Sequence, residues 1–299
     1  MPVTHISRRL TFKPLAFKLL ACLLIAIPFS SQANTASQSS NNTSSKLSNS
    51  ATLVSYLSDG TAINKAGRQR MLSERIVKAY IQLSMEVDMQ KAEKQFTQAQ
   101  ELFSRQLQEL KNYAPTNNIA HNIDAVERQW FKVKNLIKGT PTADIIPHLI
   151  PLGEELVARC HQVVLDIERF AGNSSAALVN TSGRQRMLSQ RIAKYYFAHL
   201  SGQRQDKTIE HFETSLLEFE QGLQTLSAAP ENSAAISKAL NKVKAQLRFS
   251  KSGFKGLKDG SYAPHVISRT TESMLKRMES ITQQYENLHN ELNDQQSPS

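Results

Sequence analysis

Apolar residues recur at helical spacing along most of the chain, in eight stretches that are separated by short polar, glycine- or proline-containing breaks. The stretches cover residues 52–87, 90–113, 118–138 and 144–170 in the first half, and residues 174–201, 206–227, 231–250 and 262–292 in the second half. Amphipathic stretches of this length predict helices, and four helices with short connections favour an up-down bundle. The pattern therefore predicts an all-α protein of two tandem four-helix up-down bundles.

Two of the breaks leave the local geometry open. Pro147 and Pro151 fall at the start of the fourth helix, where proline removes backbone donors, so we expect a kink or a delayed start there. Between the fourth and fifth helices, Gly172 and Asn173 allow either a bend or a straight passage into the next helix. That choice decides whether the first helices of the two halves can meet.

One 17-residue segment occurs twice. Residues 64–80 return as residues 180–196, with 12 of 17 positions identical and a constant offset of 116. Self-similarity at a fixed period is the mark of an internal repeat, so the chain consists of two copies of one unit. We place the first copy at residues 51–171, the second at 172–293 and a short tail at 294–299.

The first 33 residues have the order of a secretory signal peptide: basic residues, then an apolar run over 19–29, then the small-x-small site Ser31-Gln32-Ala33. The apolar run is too short to span a bilayer as a helix. We therefore predict cleavage after Ala33, a flexible polar lead over residues 34–50, and a soluble protein in the periplasm. An uncleaved anchor is the alternative.

The signal segment also allows two other export routes. Arg8-Arg9 resembles a twin-arginine signal, but the expected phenylalanine is shifted by one position, which favours ordinary Sec export. Leu19 to Cys22 spells a lipoprotein cleavage site, but the apolar run continues beyond Cys22. If Cys22 is removed with the signal, Cys160 is the one remaining thiol, so it forms no intramolecular disulfide and is predicted to be buried on a helix.

Charge gives no case for nucleic-acid binding. The formal net charge of the whole chain is +10, but residues 1–33 contribute four basic and no acidic side chains, and acids are scattered through the remainder. The eight histidines show no metal-ligand spacing, and no nucleophile-elbow, phosphate-loop or dinucleotide-binding motif occurs. We therefore predict no enzyme activity and no cofactor or metal site, and Trp130 is predicted to be a core residue.

Placed on a helix, each repeated segment has two faces that require packing partners. Leu72, Ile76, Ala79 and Leu83 form a stripe for the core of their own unit. A second seam has coiled-coil spacing and follows Ile63, Gly67, Arg70, Glu74, Val77 and Ile81 in the first copy, and Val179, Gly183, Arg186, Gln190, Ala193 and Phe197 in the second. Such a seam requires a partner helix, and its glycine lets two backbones approach closely. We call these two helices the motif helices.

If the two seams face each other, Arg70 and Arg186, or the same arginine from two molecules, meet in a partly desolvated slot. Uncompensated like charges there are costly. A small anion between them resolves the conflict, because guanidinium offers planar, bidentate donors for oxyanions. The alternatives are a solvated helix face, or a recent duplication kept by packing alone. The near-verbatim recurrence of Gly-Arg-Gln-Arg-Met-Leu-Ser in two otherwise diverged units argues against a solvated face, and it leaves both the anion site and the packing-constrained duplication open.

The repeated residues resemble two related sensory signatures. Gly-Arg-Gln-Arg-Met-Leu-Ser-Gln-Arg at 183–191 is similar to the signature of the PilJ-type N-terminal domain of type IV pilus methyl-accepting transducers, and residues 63–75 are similar to the P-box of nitrate/nitrite sensor kinases. This resemblance implies a periplasmic four-helix bundle in which the P-box helices of two subunits hold one nitrate. It points to an anion-contacting set of Gly67, Arg70, Gly183 and Arg186, with Arg75 and Arg191 as supports.

The chain departs from those relatives in three ways. After the second unit it shows no transmembrane helix and no HAMP, methyl-accepting or kinase region, so we expect it to report to a membrane-bound partner. Glu74 follows Arg70 by one helical turn and could neutralise it, whereas Gln190 is neutral, so if one copy alone binds the anion, we expect it to be the second. The two copies could form the site within one chain, or each could pair with another molecule.

The leading hypothesis is a soluble periplasmic module that binds a small oxyanion, nitrate or nitrite first. It would report to a membrane-bound signalling protein or associate with itself through the motif helices. The alternative is a helical scaffold or adaptor of the envelope or of the type IV pilus system that binds no ligand. Calorimetry of the mature protein with nitrate separates the two hypotheses: the first predicts binding heat that Arg186→Ala abolishes, and the second predicts no heat with any oxyanion.

Overall fold

The structure is a computed structural model that describes residues 57–172, 174–203 and 206–296. Its helices are α1 (Asp59–Ser84), α2 (Met89–Tyr113), α3 (Asn117–Leu136), α4 (Ile146–Ala171), α5 (Ser174–Leu200), α6 (Asp206–Ala228), α7 (Ala234–Asp259) and α8 (Pro264–Gln296), with a single 3₁₀ turn at Ala143–Ile145. The predicted all-α class is confirmed. The predicted signal peptide at 1–33 and polar lead at 34–50 lie outside the described residues.

Several helix ends follow directly from short-range chemistry. The side chains of Ser58, Thr116 and Ser233 each accept a hydrogen bond from the backbone N–H three residues further on, which satisfies a donor that the first helical turn leaves unpaired. Gly172 and Gly260 end α4 and α7 with φ of 70° and 73°, a left-handed conformation that glycine adopts without steric cost. The chain therefore turns at Gly172 instead of continuing from α4 straight into α5.

Two boundaries test the proline and glycine arguments. The fourth helix has the expected delayed start, because it begins at Ile146 after the 3₁₀ turn, with Pro147 in its first turn and Pro151 inside it. The predicted end of the seventh helix near residue 250 is wrong, because α7 continues to Asp259. Glycine costs a helix only about 1 kcal/mol relative to alanine, so the glycines at 253 and 256 do not stop it.

The motif helices α1 and α5 lie at the centre of the packing. They contact each other along their length, α4 packs against α1, and α8 packs against α5. The helices α2 and α6 cover the outer sides of α1 and α5, while α3 and α7 pack on α4 and α8. The buried apolar side chains form one cluster that draws on all eight helices. The two halves of the chain therefore share a core through their motif helices.

Within that core, two side chains singled out from the sequence are placed as predicted. Trp130 is buried on α3, where its ring packs against Phe103 with centroids 4.6 Å apart and its Nε1–H donates to the Ser104 hydroxyl. Cys160 is a free, buried thiol on α4. In the described part of the chain, no helix has both the length and the apolar character needed to cross a membrane.

Candidate functional site

Helices α1 and α5 approach each other closely at two glycines. Gly67 faces Gly183: a Cβ atom built on either glycine would lie 4.0 Å from the Cα atom of the other. Three turns further along, the Lys78 ammonium donates to the side-chain oxygen of Gln190 at 2.8 Å. Because contacts advance in the same direction on both helices, α1 and α5 run parallel. The seams of the two motif helices therefore pair within one chain, which the sequence left open.

Arg70 and Arg186 converge on this glycine contact, and both side chains are fully buried. The Nη2 atom of Arg70 lies 3.2 Å from the position of a Cβ on Gly67 and 3.5 Å from that of a Cβ on Gly183, and Arg186 shows the same two distances with the glycines exchanged. A Cβ atom at either glycine would press on the guanidinium group of its own helix and touch that of the other helix. The glycines therefore provide the space in which the two cations approach each other.

The hydrogen bonds of Arg70 all go to neutral acceptors. Its Nη1 group donates to Nδ1 of His161 on α4 at 3.0 Å. Its Nη2 group donates to the side-chain and backbone oxygens of Asn180 on α5, at 2.9 and 3.3 Å. The buried Nε–H group has no acceptor among the described residues. Arg70 thus carries a buried positive charge that no carboxylate of the described chain contacts directly.

Arg186 makes the corresponding contacts with one decisive difference. Its Nη2 group donates to the backbone oxygen of Asn64 at 3.1 Å, and its Nε–H group is also buried without an acceptor among the described residues. Its Nη1 group, however, donates to the Glu279 carboxylate on α8 at 2.9 Å. The other oxygen of Glu279 accepts from Arg68 on α1. Arg186 therefore has a counter-charge and Arg70 does not.

The difference arises on the flanking helices, which present polar residues at a spacing of seven. Helix α8 places Glu272, Glu279 and Glu286 along the motif helices, whereas α4 places Glu154, His161 and Glu168, each 118 positions earlier. The outer members of the two sets make equivalent contacts: Glu286 with Asn64 and Glu168 with Asn180, then Glu272 with Lys78 and Glu154 with Lys194. The middle position differs: it is glutamate on α8 and histidine on α4.

The charges around Arg70 perturb both partners of the Arg70–His161 pair. Burial, together with the positive charges of Arg184 and Arg186, lowers the pKa of Arg70 to about 9, so it remains a cation at neutral pH. Burial and the Arg70 charge lower the pKa of His161 to about 4. His161 is therefore neutral at pH 7, and since a guanidinium can only donate, Nδ1 is the acceptor and the ring proton resides on Nε2.

A second layer of buried polar side chains lies one to two turns beyond the arginines, and the number of carboxylates in it also differs between the two halves. Lys194 is buried between the carboxylates of Glu74, at 2.8 Å, and Glu154. Burial lowers the pKa of Lys194, but the two carboxylates raise it by more, so its pKa lies above the ordinary value. The equivalent Lys78 has Glu272 at 2.8 Å, and burial lowers its pKa to about 8. The two lysines differ because the second copy of the repeat has neutral Gln190 where the first copy has Glu74.

The six residues predicted to contact the anion separate into two groups. Gly67, Arg70, Gly183 and Arg186 meet at one point, as described above. Arg75 and Arg191 do not join them: Arg75 pairs with Glu272 at 2.6 Å, and Arg191 pairs with Glu74 at 2.6 Å. These two arginines belong to the second polar layer.

The expectation that Glu74 neutralises Arg70 is wrong. Glu74 turns instead to the other motif helix, where it binds Arg191 and Lys194. The reason is the parallel packing, which brings these cations of α5 alongside Glu74, while the long Arg70 side chain extends toward the start of α1 and reaches Asn180. The argument that favoured the second copy therefore fails, because Arg186 is the arginine with a carboxylate partner.

Sequence reasoning missed His161 and Glu279, which decide the charge at the two arginines. Neither lies in the repeated segment, and each looks like an ordinary polar residue of an amphipathic helix. The available signal was the spacing of seven shared by the acidic residues of α4 and α8, interrupted only at position 161. Such a spacing predicts that one face of each helix meets a common partner.

Comparison with protein families gives one match. The family of type IV pili methyl-accepting chemotaxis transducer N-terminal domains, PilJ, matches residues 51–145 and 171–248. These two segments cover more than half of the chain, and each contains one copy of the repeated motif. The chain belongs to the PilJ family. Comparisons with curated proteins and with solved structures gave no match. PilJ membership places this protein among sensor-type helical modules of signal transduction.

Proposed function

We propose that this PilJ-family protein is an exported sensory module that binds a small oxyanion, nitrate or nitrite first, through the arginines of its motif helices. The observation that carries the proposal is the meeting of two fully buried guanidinium groups, Arg70 and Arg186, at the Gly67–Gly183 contact. Of these two arginines, only Arg186 has a carboxylate partner among the described residues.

The energetics of buried charge support a ligand at this place. An ion taken out of water without a partner costs several kcal/mol, of which neutral hydrogen-bond acceptors recover only part. The two buried Nε–H donors of Arg70 and Arg186 are further unsatisfied groups, and such groups in a native structure call for an explanation. A monovalent oxyanion would supply the missing charge and accept from several guanidinium N–H groups at once.

In the same proposal, the chain consists of two PilJ-like four-helix units, one over 51–171 and one over 172–293. Each unit contributes one motif helix, so that a site which the sensor kinases are expected to build from two subunits is built here inside one molecule. The parallel, level packing of α1 and α5 supports this arrangement. Binding would be reported in the periplasm to a membrane-associated signalling protein, as the transducer family suggests.

A scaffold that binds no ligand is the competing function, and one observation favours it. Arg70 already has three hydrogen-bond acceptors in His161 and Asn180, so the polar core is partly satisfied without an anion. In that case the repeated motif would serve helix pairing alone. The two functions differ in whether the isolated protein takes up an anion.

Calorimetric titration of the purified protein with sodium nitrate and sodium nitrite, against sodium chloride at equal ionic strength, tests the proposal. We expect saturable binding that is lost in Arg70→Gln. The matched control is Arg159→Gln on the surface of α4, where Arg159 pairs only with Glu155 one turn away. Absence of binding to either anion by the wild-type protein, with a cooperative unfolding transition intact, would establish the scaffold instead.

A further inference from the structure

The Glu279 carboxylate shows how an anion fits beside the motif helices. One of its oxygens accepts from Arg186 on α5 and the other from Arg68 on α1, so a single carboxylate bridges guanidinium groups of both motif helices. The Glu279 side chain extends from α8 and is partly accessible to solvent. The protein thus carries its own bound carboxylate in one half.

The other half holds the same guanidinium groups without that carboxylate. By the offset of the repeat, Arg68 and Arg186 correspond to Arg184 and Arg70. The residue that corresponds to Glu279 is His161, which is neutral and half-buried. Arg70 donates to its ring, and the positive charge of Arg184 is close enough to contribute to the lowered pKa of His161. Two cations therefore lie near a position that is neutral in this half and negatively charged in the other.

We propose that the place beside His161 is a binding site for a small monovalent carboxylate or planar oxyanion, which takes the position that the Glu279 carboxylate occupies in the other half. One ligand oxygen would replace His161 Nδ1 as the acceptor for Arg70, and the other would accept from Arg184. This inference rests on the proposed oxyanion-binding role, and it assigns the ligand to the α4 side of Arg70 rather than to the gap between Arg70 and Arg186.

The second cation of the proposed site, Arg184, is accessible to solvent. The Arg184 side chain is 35% exposed and pairs at 2.8 Å with Glu218 of α6, which is 31% exposed, so the pair is a solvent-screened surface contact of small worth. The Nε2–H group of His161 has no hydrogen-bond partner among the described residues, and it is free to donate to the ligand. In the proposed exchange an anion approaches from the solvent side, past Arg184 and Glu218, and His161 moves away from the buried Nη1 group of Arg70.

Anion uptake at this site would be coupled to proton uptake. The charged groups that face His161 are Arg70 of α1, Arg184 and Arg191 of α5, and Glu218 of α6. The three cations outweigh the single acid, and together with burial they keep the ring neutral. A bound anion offsets part of that positive charge, so it favours the imidazolium form. Binding should therefore tighten as the pH falls from 7.5 toward 5.5.

The test compares His161→Glu with His161→Gln by calorimetric titration with sodium nitrate and sodium formate, and by thermal unfolding. His161→Glu provides a tethered carboxylate at the proposed site. We expect it to weaken anion binding by at least about tenfold, which corresponds to roughly 1.4 kcal/mol, and to raise the unfolding temperature. His161→Gln is neutral and should keep the wild-type affinity, without its dependence on pH.

Arg184→Gln and Arg68→Gln form the second matched pair, since they remove equivalent guanidinium groups from the two halves. Loss of affinity in Arg184→Gln with wild-type affinity in Arg68→Gln supports the inference. Unchanged binding by both His161→Glu and Arg184→Gln overturns the inference. If Arg70→Gln still abolishes binding in that case, the anion lies between Arg70 and Arg186, and the proposed function stands. Absence of anion binding by the wild-type protein overturns both.

Discussion

The two motif helices carry nearly the same residues, yet the surroundings of their central arginines differ by one full charge. Around Arg186, α8 provides a glutamate; around Arg70, α4 provides a neutral histidine at the equivalent position. The geometry of the contact is conserved between the halves, whereas its charge balance is not. A single position on a flanking helix, glutamate in α8 and histidine in α4, therefore decides whether a protein carboxylate sits beside the central arginine.

The largest effect is expected from the feature that the two halves share, their glycines. Gly67→Leu and Gly183→Leu should each lower the free energy of unfolding by about 3 kcal/mol or more, because a bulky side chain must displace two buried guanidinium groups. Urea denaturation of the two variants measures this. Ala235→Leu on the exposed surface of α7 is the control for added apolar volume.

The two glycine variants should be destabilised equally, since the distances around Gly67 and Gly183 are mirrored. A clear loss of stability in one variant alone would show that the packing, and not only the charge, is unequal between the halves. Wild-type stability in both would contradict the close helix contact itself.

The next effect separates the halves. Arg186→Met leaves the Glu279 carboxylate, which is 37% exposed, with Arg68 as its one remaining ion-pair partner among the described residues, and losing a charge-assisted hydrogen bond in this way costs about 2 kcal/mol. Arg70→Met removes an unpaired charge from beside a neutral histidine, so it should cost much less in the absence of a ligand. Urea denaturation in nitrate-free buffer compares the two.

The double variant Arg186→Met/Glu279→Leu is the control for this comparison, because it removes both charges and should recover most of the stability that Arg186→Met loses. Equal destabilisation by Arg70→Met and Arg186→Met would mean that Arg70 is as well compensated as Arg186. The proposed electrostatic difference between the halves would then be incorrect.

The second polar layer offers a change that makes the two halves more alike. Gln190→Glu restores beside Lys78 the carboxylate that Lys194 has in Glu74, so we expect the unfolding free energy to rise by about 1 kcal/mol. Thermal unfolding at pH 7 measures the change. The converse variant, Glu74→Gln, should be destabilising, because it removes a carboxylate from both Arg191 and Lys194. If Gln190→Glu is instead destabilising, Lys78 needs no further counter-charge.

The amino-acid sequence was sufficient to predict those parts of the site that local pattern determines. Helical periodicity predicts the helices α1 to α8 of the described residues, and the coiled-coil spacing of the seam with Gly67 and Arg70 predicts the face that meets the other motif helix. The identity of the neighbours around that face depends on which helices fill the grooves of the α1–α5 pair. His161 and Glu279 are separated from Arg70 and Arg186 by about 90 residues, so no local pattern connects them, and Glu74 was assigned to the wrong arginine for the same reason.

The smallest effect, and the one that isolates the histidine, is the dependence of stability on pH. Because the pKa of His161 in the folded protein is about 4, below the ordinary value near 6.5 that it has in the unfolded chain, the unfolded state binds more protons between these values. The contribution of His161 to stability is complete above pH 6.5 and is lost as the pH falls through 4. Protonation of Glu272 also destabilises the fold, but because the pKa of Glu272 is lowered to about 2, its contribution is lost only as the pH falls from about 4.5 toward 2.

The free energy of unfolding should therefore fall less steeply between pH 6.5 and 5 in His161→Gln than in the wild type, when both are measured by urea denaturation in chloride buffer. Equal slopes of unfolding free energy against pH would mean that burial and Arg70 do not hold the His161 ring neutral. Addition of nitrate should flatten the slope of the wild type alone, because an anion beside Arg70 raises the pKa of His161 toward its ordinary value.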